Sequence, residues 1–386
     1  MSKATVTKKK TNGEGSIRQR ADGKWEGRVT VGVNDKGKQK QKSVYGSTKS
    51  EVRQKVTAIL TDLDTNDYIP DNRMSVGEWL ETWVSDYLVD VKDTTKKKYE
   101  TDIRVHLIPA LGKIKLQDLK AIDIQTYYNK LLRQGKAAKS IKCIHGVLHR
   151  ALDTAVKFEL CKKNPANSCD PPSIKKKEMC VIKDEDIRRF ENAIAGHRYG
   201  SFYYIAMYTG LRESELIGLT WDCIDFDNNT IHVYRQLQRG TEKGSGYSFK
   251  PLKNGKSRTF TVITQVMDEF RLIRQRQLIC KMKSRQSWSN PNHFVFTNDV
   301  GEHYCTHTVY SNFKKIVTSL GLPETRVHDL RHTFATISIE CDCDIKTVSA
   351  ALGHATTAFT MDVYGHVSKK MDKSAAEKLE KYISTL

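Results

Sequence analysis

Long apolar runs are missing from this 386-residue chain. None approaches the eighteen or so residues of a membrane span, and the opening "MSKATVTKKKTNGEG" is charged without the apolar core of a secretory signal. Paired cysteines are missing too: there are nine, an odd number, and no CxxC occurs. That argues against a disulfide framework and for free thiols in a reducing cytosol. Prolines number only eight, and three of them fall in "PANSCDPPSIKKKEMC", residues 165–180. Negative charge is in short supply: 45 Asp+Glu face 64 Lys+Arg, a net charge of +19. Such an excess calls for a polyanionic partner, although charge alone does not separate DNA from RNA. What remains is ordinary globular composition, 38% hydrophobic and 28% charged, long enough for two or three domains.

The basic excess is concentrated at the start, where residues 1–50 hold 13 Lys+Arg and 4 Asp+Glu. Three strand-like runs, "GSIRQR", "KWEGRVTVGV" and "KQKQKSVYG", are separated by the turn signals "ADGK" and "NDKGK". Alternation puts Trp25, Val29, Val31 and Val33 on one face and Arg28 and Thr30 on the other. A helix from about Thr48 should cover the apolar face through Val52, Val56, Ile59 and Leu63. Lys36, Lys38, Lys40 and Lys42 alternate into a cationic row. With Arg18, Arg20 and Arg28 they make a three-stranded ribbon suited to a DNA groove; the competing reading is an edge strand protected by lysines. This unit spans 1–66.

After "DYIPDNRM", the "SVGE" at Ser75 predicts a capping box. Helices follow near 76–87, 94–107, 121–133 and 138–159, an all-α unit over 74–165 with Lys96, Lys97 and Lys98 in a basic stretch. The proline-bearing segment at 165–180 reads as a connector. A third, mostly helical unit runs over 178–386, with strand-like "TIHVYRQL", "SRTFTVI" and "HFVFT" and an amphipathic tail, "SKKMDKSAAEKLEKYISTL", whose Ala376, Leu379 and Ile383 share a face.

Four stretches of that third unit carry chemistry. In "YTGLRESEL", Arg212 and Glu215 share a helical face after Gly210. In "PLKNGKSRTFTV", two strand-like arms flank Asn254–Gly255, with Lys253 at the mouth and Lys256 as its rival. In "RVHDLRHTFATI", an apolar stripe of Leu330, Phe334 and Ile337 leaves His328 and Arg331 side by side, with His332 next to them. In "VSAALGHATTAFTMDVYGHV", His354 ends a helix and Tyr364 follows ten residues on. Displacement at a phosphodiester would use all of them. Two arginines hold the non-bridging oxygens, imidazoles donate or move protons, and a phenol with a pKa near ~10 is both nucleophile and leaving group. "HYCTH" (His303, Cys305, His307) lacks the paired spacing of structural zinc, so no metal site is expected, and the chemistry calls for no cofactor.

In this order the boxes "TGLRESEL", "HDLRHTFAT", "LGHA" and "TMDVYGH" resemble those of the tyrosine recombinases, or phage-type integrases, most like the integrases of conjugative transposons. The resemblance implies a multidomain, mainly α protein. Its parts would be a small three-stranded-sheet-plus-helix N-terminal domain for arm-type DNA, an all-α core-binding domain and a mixed α+β catalytic domain. It further implies that Arg212, Lys253, His328, Arg331 and His354 surround a scissile phosphate, that Tyr364 attacks it to leave a 3′-phosphotyrosine, and that Glu215, His332 and His366 support them. A homotetramer on two duplexes, accessory directionality or DNA-bending proteins, and a cytoplasmic, nucleoid-associated location belong to the same expectation. A type IB topoisomerase and a non-catalytic DNA-binding regulator are the alternatives.

Overall fold

The computed structural model describes residues 15–33, 37–65, 67–89, 91–174, 180–241, 244–354 and 356–364, with 380, 383 and 384 beyond them. Lys36, His366 and all of the expected tail helix except Glu380, Ile383 and Ser384 lie outside the described residues. The chain divides into two compact units, Met1–Lys175 and Lys176–Leu386.

The first unit opens with an antiparallel sheet of β1 (Ser16–Gln19), β2 (Trp25–Val33) and β3 (Gln39–Gly46). Helix α1 (Lys49–Asp64), capped by Thr48, buries Val52, Val56 and Ile59 against Val29 and Val44. Gly27 makes this approach feasible, since a Cβ there would stand 2.5 Å from Val56 Cγ2 and 2.7 Å from Val52 Cγ1.

Two expectations about this sheet need correction. The register slips between Thr30 and Gly32, so Val33 pairs with Gln39 and stands 69% exposed, away from Trp25 and Val29. Lys42 pairs with Val29 and Lys40 shares the Val44 parity, so both lysines lie on the α1 side of the sheet, not on its open face. Lys42 is ion-paired to Asp71 there. The open face instead carries Arg18 and Arg28, both hydrogen-bonded to Glu26, with Arg20 over the Tyr45 ring.

A second, separate core in this unit is built by α2 (Val76–Asp86), α3 (Asp93–Asp102), α4 (Ile108–Leu111), α5 (Ala121–Arg133) and α6 (Ala138–Lys157). The Ser75–Glu78 capping box is present in both directions, at 2.7 and 3.2 Å. Trp79 and Trp83 are buried and donate to Ala151 O and Thr154 Oγ1 on α6. The helix expected over 94–107 runs further, through a π turn at Ile103–Leu107 that turns both of those side chains inward. Lys96, Lys97 and Lys98 sit on α3, Lys97 and Lys98 exposed and Lys96 half-buried.

The second unit packs α7 (Asp184–Ile194), α8 (Gly200–Thr209), α9 (Glu213–Ile217), α10 (Thr264–Ser284), α11 (Thr306–Ser319), α12 (Val327–Glu340), α13 (Ile345–Leu352) and α14 (Thr357–Tyr364). Apolar nearly all round, α8 lies in the middle and contributes Phe202, Tyr203 and Ile205 to the core. Strands β4 (Ile224–Asp225), β5 (Thr230–Val233) and β8 (Arg258–Thr261) form one sheet, and β6 (Arg235–Arg239) with β7 (Tyr247–Pro251) a two-stranded ribbon. The two arms around Asn254–Gly255 therefore do not pair with each other. β7 folds back on β6, which leaves β8 to β5, and the Lys253 turn bridges the two sheets. "HFVFT" makes bridges only, Thr220 to Phe294 and Thr297 to His303, while Phe294, Val295 and Phe296 are buried in the core.

Candidate active site

The site gathers on the C-terminal end of α13. Helix α8 stops at Gly210 in the left-handed region (φ 62°), where a Cβ would collide with Phe334 at 2.5 Å and Leu352 at 2.7 Å. Arg212 then caps α9, with Glu215 reaching back to its backbone N–H at 3.0 Å and to Nη1 at 2.7 Å. At the start of α12 the fully buried Asp329 accepts from Arg326 N, Nε and Nη2, and this fixes the turn that carries His328, Arg331 and His332.

Successive carbonyls of α13 each take a guanidinium. Arg258 Nε donates to Ala351 O at 2.7 Å, Arg331 Nη2 to Leu352 O at 2.6 Å and Arg212 Nη2 to Gly353 O at 3.0 Å. These carbonyls carry the negative end of the helix dipole, which favours cations. The other arm of Arg331 donates to Gly210 O at 2.6 Å, and the residue is 3% exposed. Asn254 donates to Gly353 O at 3.0 Å and so ties the Lys253 turn to the same point.

Tyr364, 2% exposed, packs with Ala335, Ile339, Val348 and Leu352. Its hydroxyl lies 2.6 Å from His332 Nδ1. The His332 ring stands edge-on to His328, centroids 5.2 Å apart. His354 Nδ1 lies 2.9 Å from the buried Thr360 Oγ1. Arg212, Glu215, His328, Arg331, His354 and Tyr364 are thus brought together with His332. The sequence marks Asn254 only as a turn residue and singles out neither Arg258 nor Thr360. Only the strand-like run "SRTFTVI" bears on Arg258, by setting it on a strand of unknown pairing.

The electrostatics follow from crowding cations away from water. Burial, then Arg331 and Arg212, pull His354 down to about 4. Burial, then His328, pull His332 down to about 4, and burial with Arg331 lowers His328. Arg331 itself is lowered, by burial first and then by Arg212. Burial pushes Tyr364 up to about 12 against the pull of Arg331. The downward shifts of the imidazoles and of Arg331 have the sign expected of buried groups beside surplus positive charge, whereas at Tyr364 burial outweighs that charge. Glu215 supplies a counter-charge: burial would raise its carboxyl, but Arg258 and Arg212 bring it below the ordinary value.

Beside this cluster, Glu213 has a buried Oε1 with no hydrogen-bonding partner among the described residues, and burial pushes its carboxyl up to about 7. Between pH 4.5 and 7 the folded state holds the extra proton, so the group costs stability as pH rises through that window. Glu213→Gln is expected to raise the unfolding free energy at pH 8, measured by urea denaturation, by on the order of 1 kcal/mol after discounting for partial exposure. The gain should vanish below pH 4.5. An equal gain at both pH values would contradict this account.

Comparison with known proteins agrees with the geometry. Residues 181–371 match the phage integrase family and residues 75–132 the phage integrase N-terminal SAM-like domain. A tyrosine recombinase XerC-like protein of Caldanaerobacter subterraneus subsp. tengcongensis is 31% identical over 91% of this chain and 94% of its own length. The ICEBs1 integrase of Bacillus subtilis is 25% identical over 78% of this chain and 82% of its own. A solved structure of the Tn1549 transposon integrase in complex with a circular intermediate DNA has a TM-score of 0.69 at 23% identity, covering 79% of this chain and 99% of that one. With sequence motifs, buried guanidinium cluster and full-length similarity in agreement, the chain belongs to the phage integrase family, the tyrosine recombinases.

Proposed function

We propose that this recombinase cuts and rejoins double-stranded DNA at specific sites to move a mobile element, with Tyr364 as its nucleophile. The observation that carries the reading is the set of three guanidinium groups on three successive α13 carbonyls, with the Tyr364 hydroxyl held nearby by His332. A scissile phosphate supplies the negative charge this cluster lacks. Arg212 and Arg331 hold its non-bridging oxygens as charge spreads onto them, and His328 and His354 donate to the same group.

Arrival of the phosphate raises the imidazoles, while the same negative charge keeps Tyr364 protonated, so the phenol loses its proton only as its oxygen bonds to phosphorus, with Arg331 stabilising the charge that develops. With His332 neutral and protonated at Nε2, the hydroxyl donates to Nδ1, so His332 orients Tyr364 and takes its proton. The Tyr364 oxygen bonds to phosphorus and the bond to the 5′ oxygen breaks. Lys253 protonates that oxygen; Lys256 is the rival on the same turn. The 3′-phosphotyrosine conserves the bond energy, so a 5′-hydroxyl from a partner strand reseals without ATP.

In this reading residues 1–66 grip arm-type sites through Arg18, Arg20 and Arg28 on the open face of the sheet, with Lys36, Lys38 and Lys40 as further cations for the same DNA. Residues 74–165 hold the core site, Lys96, Lys97 and Lys98 among their contacts, and residues 178–386 do the chemistry. Four protomers on two duplexes form the working complex, with accessory proteins setting direction. Lambda integrase, whose tetramer has been solved on a Holliday junction, has this fold at 16% identity and a TM-score of 0.56.

The test is a nicked duplex carrying the element's own attachment site, read from the DNA flanking the gene. A covalent protein–DNA adduct and strand exchange between two duplexes are expected. An adduct without exchange, together with relaxation of a supercoiled plasmid carrying the site, would make the protein a type IB topoisomerase. Binding without an adduct would leave a DNA-binding regulator.

A further inference from the structure

We infer that Arg258 is a positioning residue that keeps the Arg212 guanidinium turned toward the phosphate and fixes the loop that carries His354. The inference rests on the recombinase reading above. It starts from one buried carboxylate, Glu215, which is 1% exposed. Its Oε1 accepts from Arg212 Nη1 at 2.7 Å and Arg258 Nη1 at 3.2 Å; its Oε2 accepts from Arg258 Nη2 at 2.6 Å and the Arg212 backbone N–H at 3.0 Å. One negative charge is thus shared between two arginines.

Left with Arg212 alone, that carboxylate would close on it in a two-pronged pair, the strongest geometry open to the two groups. Arg212 would then be neutralised and turned away from the substrate. By filling both carboxylate oxygens, Arg258 holds Arg212 to a single prong and leaves its Nη2 for Gly353 O. The remaining donor of Arg258, Nε, bonds Ala351 O, one turn-end before Gly353 and His354. The Arg258 side chain also lies flat against Gly353, where a Cβ would be 3.0 Å from Nη1, and only 10% of it is exposed. All three of its nitrogens are engaged, Nε on Ala351 O and both Nη on the Glu215 carboxylate, so its effect on the phosphate passes through the residues it aligns.

The experiment measures single-turnover cleavage of the nicked duplex, DNA affinity and melting temperature, with Tyr364→Phe as the chemical control. Arg258→Met is expected to slow cleavage about 100-fold, the cost of misplacing a catalytic group by an ångström or so, with DNA affinity unchanged. Adding Glu215→Gln to that variant removes the charge that captures Arg212, and is expected to recover cleavage about tenfold. Arg258→Lys keeps the charge and serves where the Met variant does not fold; it offers one point charge in place of a fork. It should also be slow and be rescued by Glu215→Gln. Two results overturn the inference: wild-type cleavage by a folded Arg258→Met, or a double variant no faster than the single, which would mean direct contact with the phosphate. A wild-type protein that forms no Tyr364 adduct would sink the recombinase reading instead.

Discussion

Tyr364→Phe is expected to abolish the covalent adduct while leaving a folded protein that binds its DNA as before. The ring is the part that packs: it is buried among Ala335, Ile339, Val348 and Leu352, and phenylalanine fills the same space. What goes is one hydroxyl and its 2.6 Å contact with His332, worth roughly 1 kcal/mol. The chemistry, by contrast, has no substitute atom. Burial holds the phenol at about 12, so in the proposed mechanism Tyr364 stays protonated until its oxygen bonds to phosphorus. Cleavage should therefore fall below detection, while melting temperature and DNA affinity stay near wild type. Mass spectrometry of the wild-type adduct identifies the attached residue. An adduct that survives in the Phe variant, or one mapped to another of the sixteen tyrosines such as Tyr382 in the segment beyond it, would remove Tyr364 from the mechanism.

Arg331→Met is expected to separate activity from stability in the opposite sense. Arg331 is 3% exposed and its hydrogen bonds go to two carbonyls, Gly210 O and Leu352 O. Carbonyl dipoles offset the burial of a full charge only partly, and the Glu215 carboxylate is engaged with Arg212 and Arg258. The site thus stores unfavourable electrostatics that the scissile phosphate relieves. Methionine has similar length and adapts to the same space. Cleavage should drop on the order of 1,000-fold, as when a main oxyanion donor is lost. Stability should rise by about 1 kcal/mol, roughly 2–4 °C for a unit of this size. A clear fall in melting temperature would show that Arg331 is a structural ion rather than a strained catalytic one.

What could be read from the sequence depended on how far each interaction reaches along the chain. The Ser75–Glu78 box and the His328–Arg331 turn span three residues and have the geometry their spacing dictates; Arg212 and Glu215 also meet, but with Arg212 as the extended N-cap of α9 and not on its helical face. Arg258 was missed because its partners lie 43 and 93 positions away, on elements whose packing no local pattern encodes. The two arms around Asn254 suggested a hairpin, yet β7 found its partner in β6; alternation announces a strand, not its neighbour. At Val33 one residue of register slip was enough to move a side chain to the other face. The lysine row failed for a related reason. Alternation put Lys40 and Lys42 together, but the face they share was chosen by Val44, two residues further on.

Because the α13 end collects its donors across separations of 93, 141 and 21 residues, a chain still emerging from the ribosome has no cutting site. Arg212, Arg258 and Arg331 are all synthesised before their anchor at 351–353, and Tyr364 comes after it. Truncated products and stalled nascent chains can therefore carry DNA-binding surfaces while being unable to break a strand. In the proposed recombinase reading, this order of synthesis keeps an unfinished chain from cutting DNA.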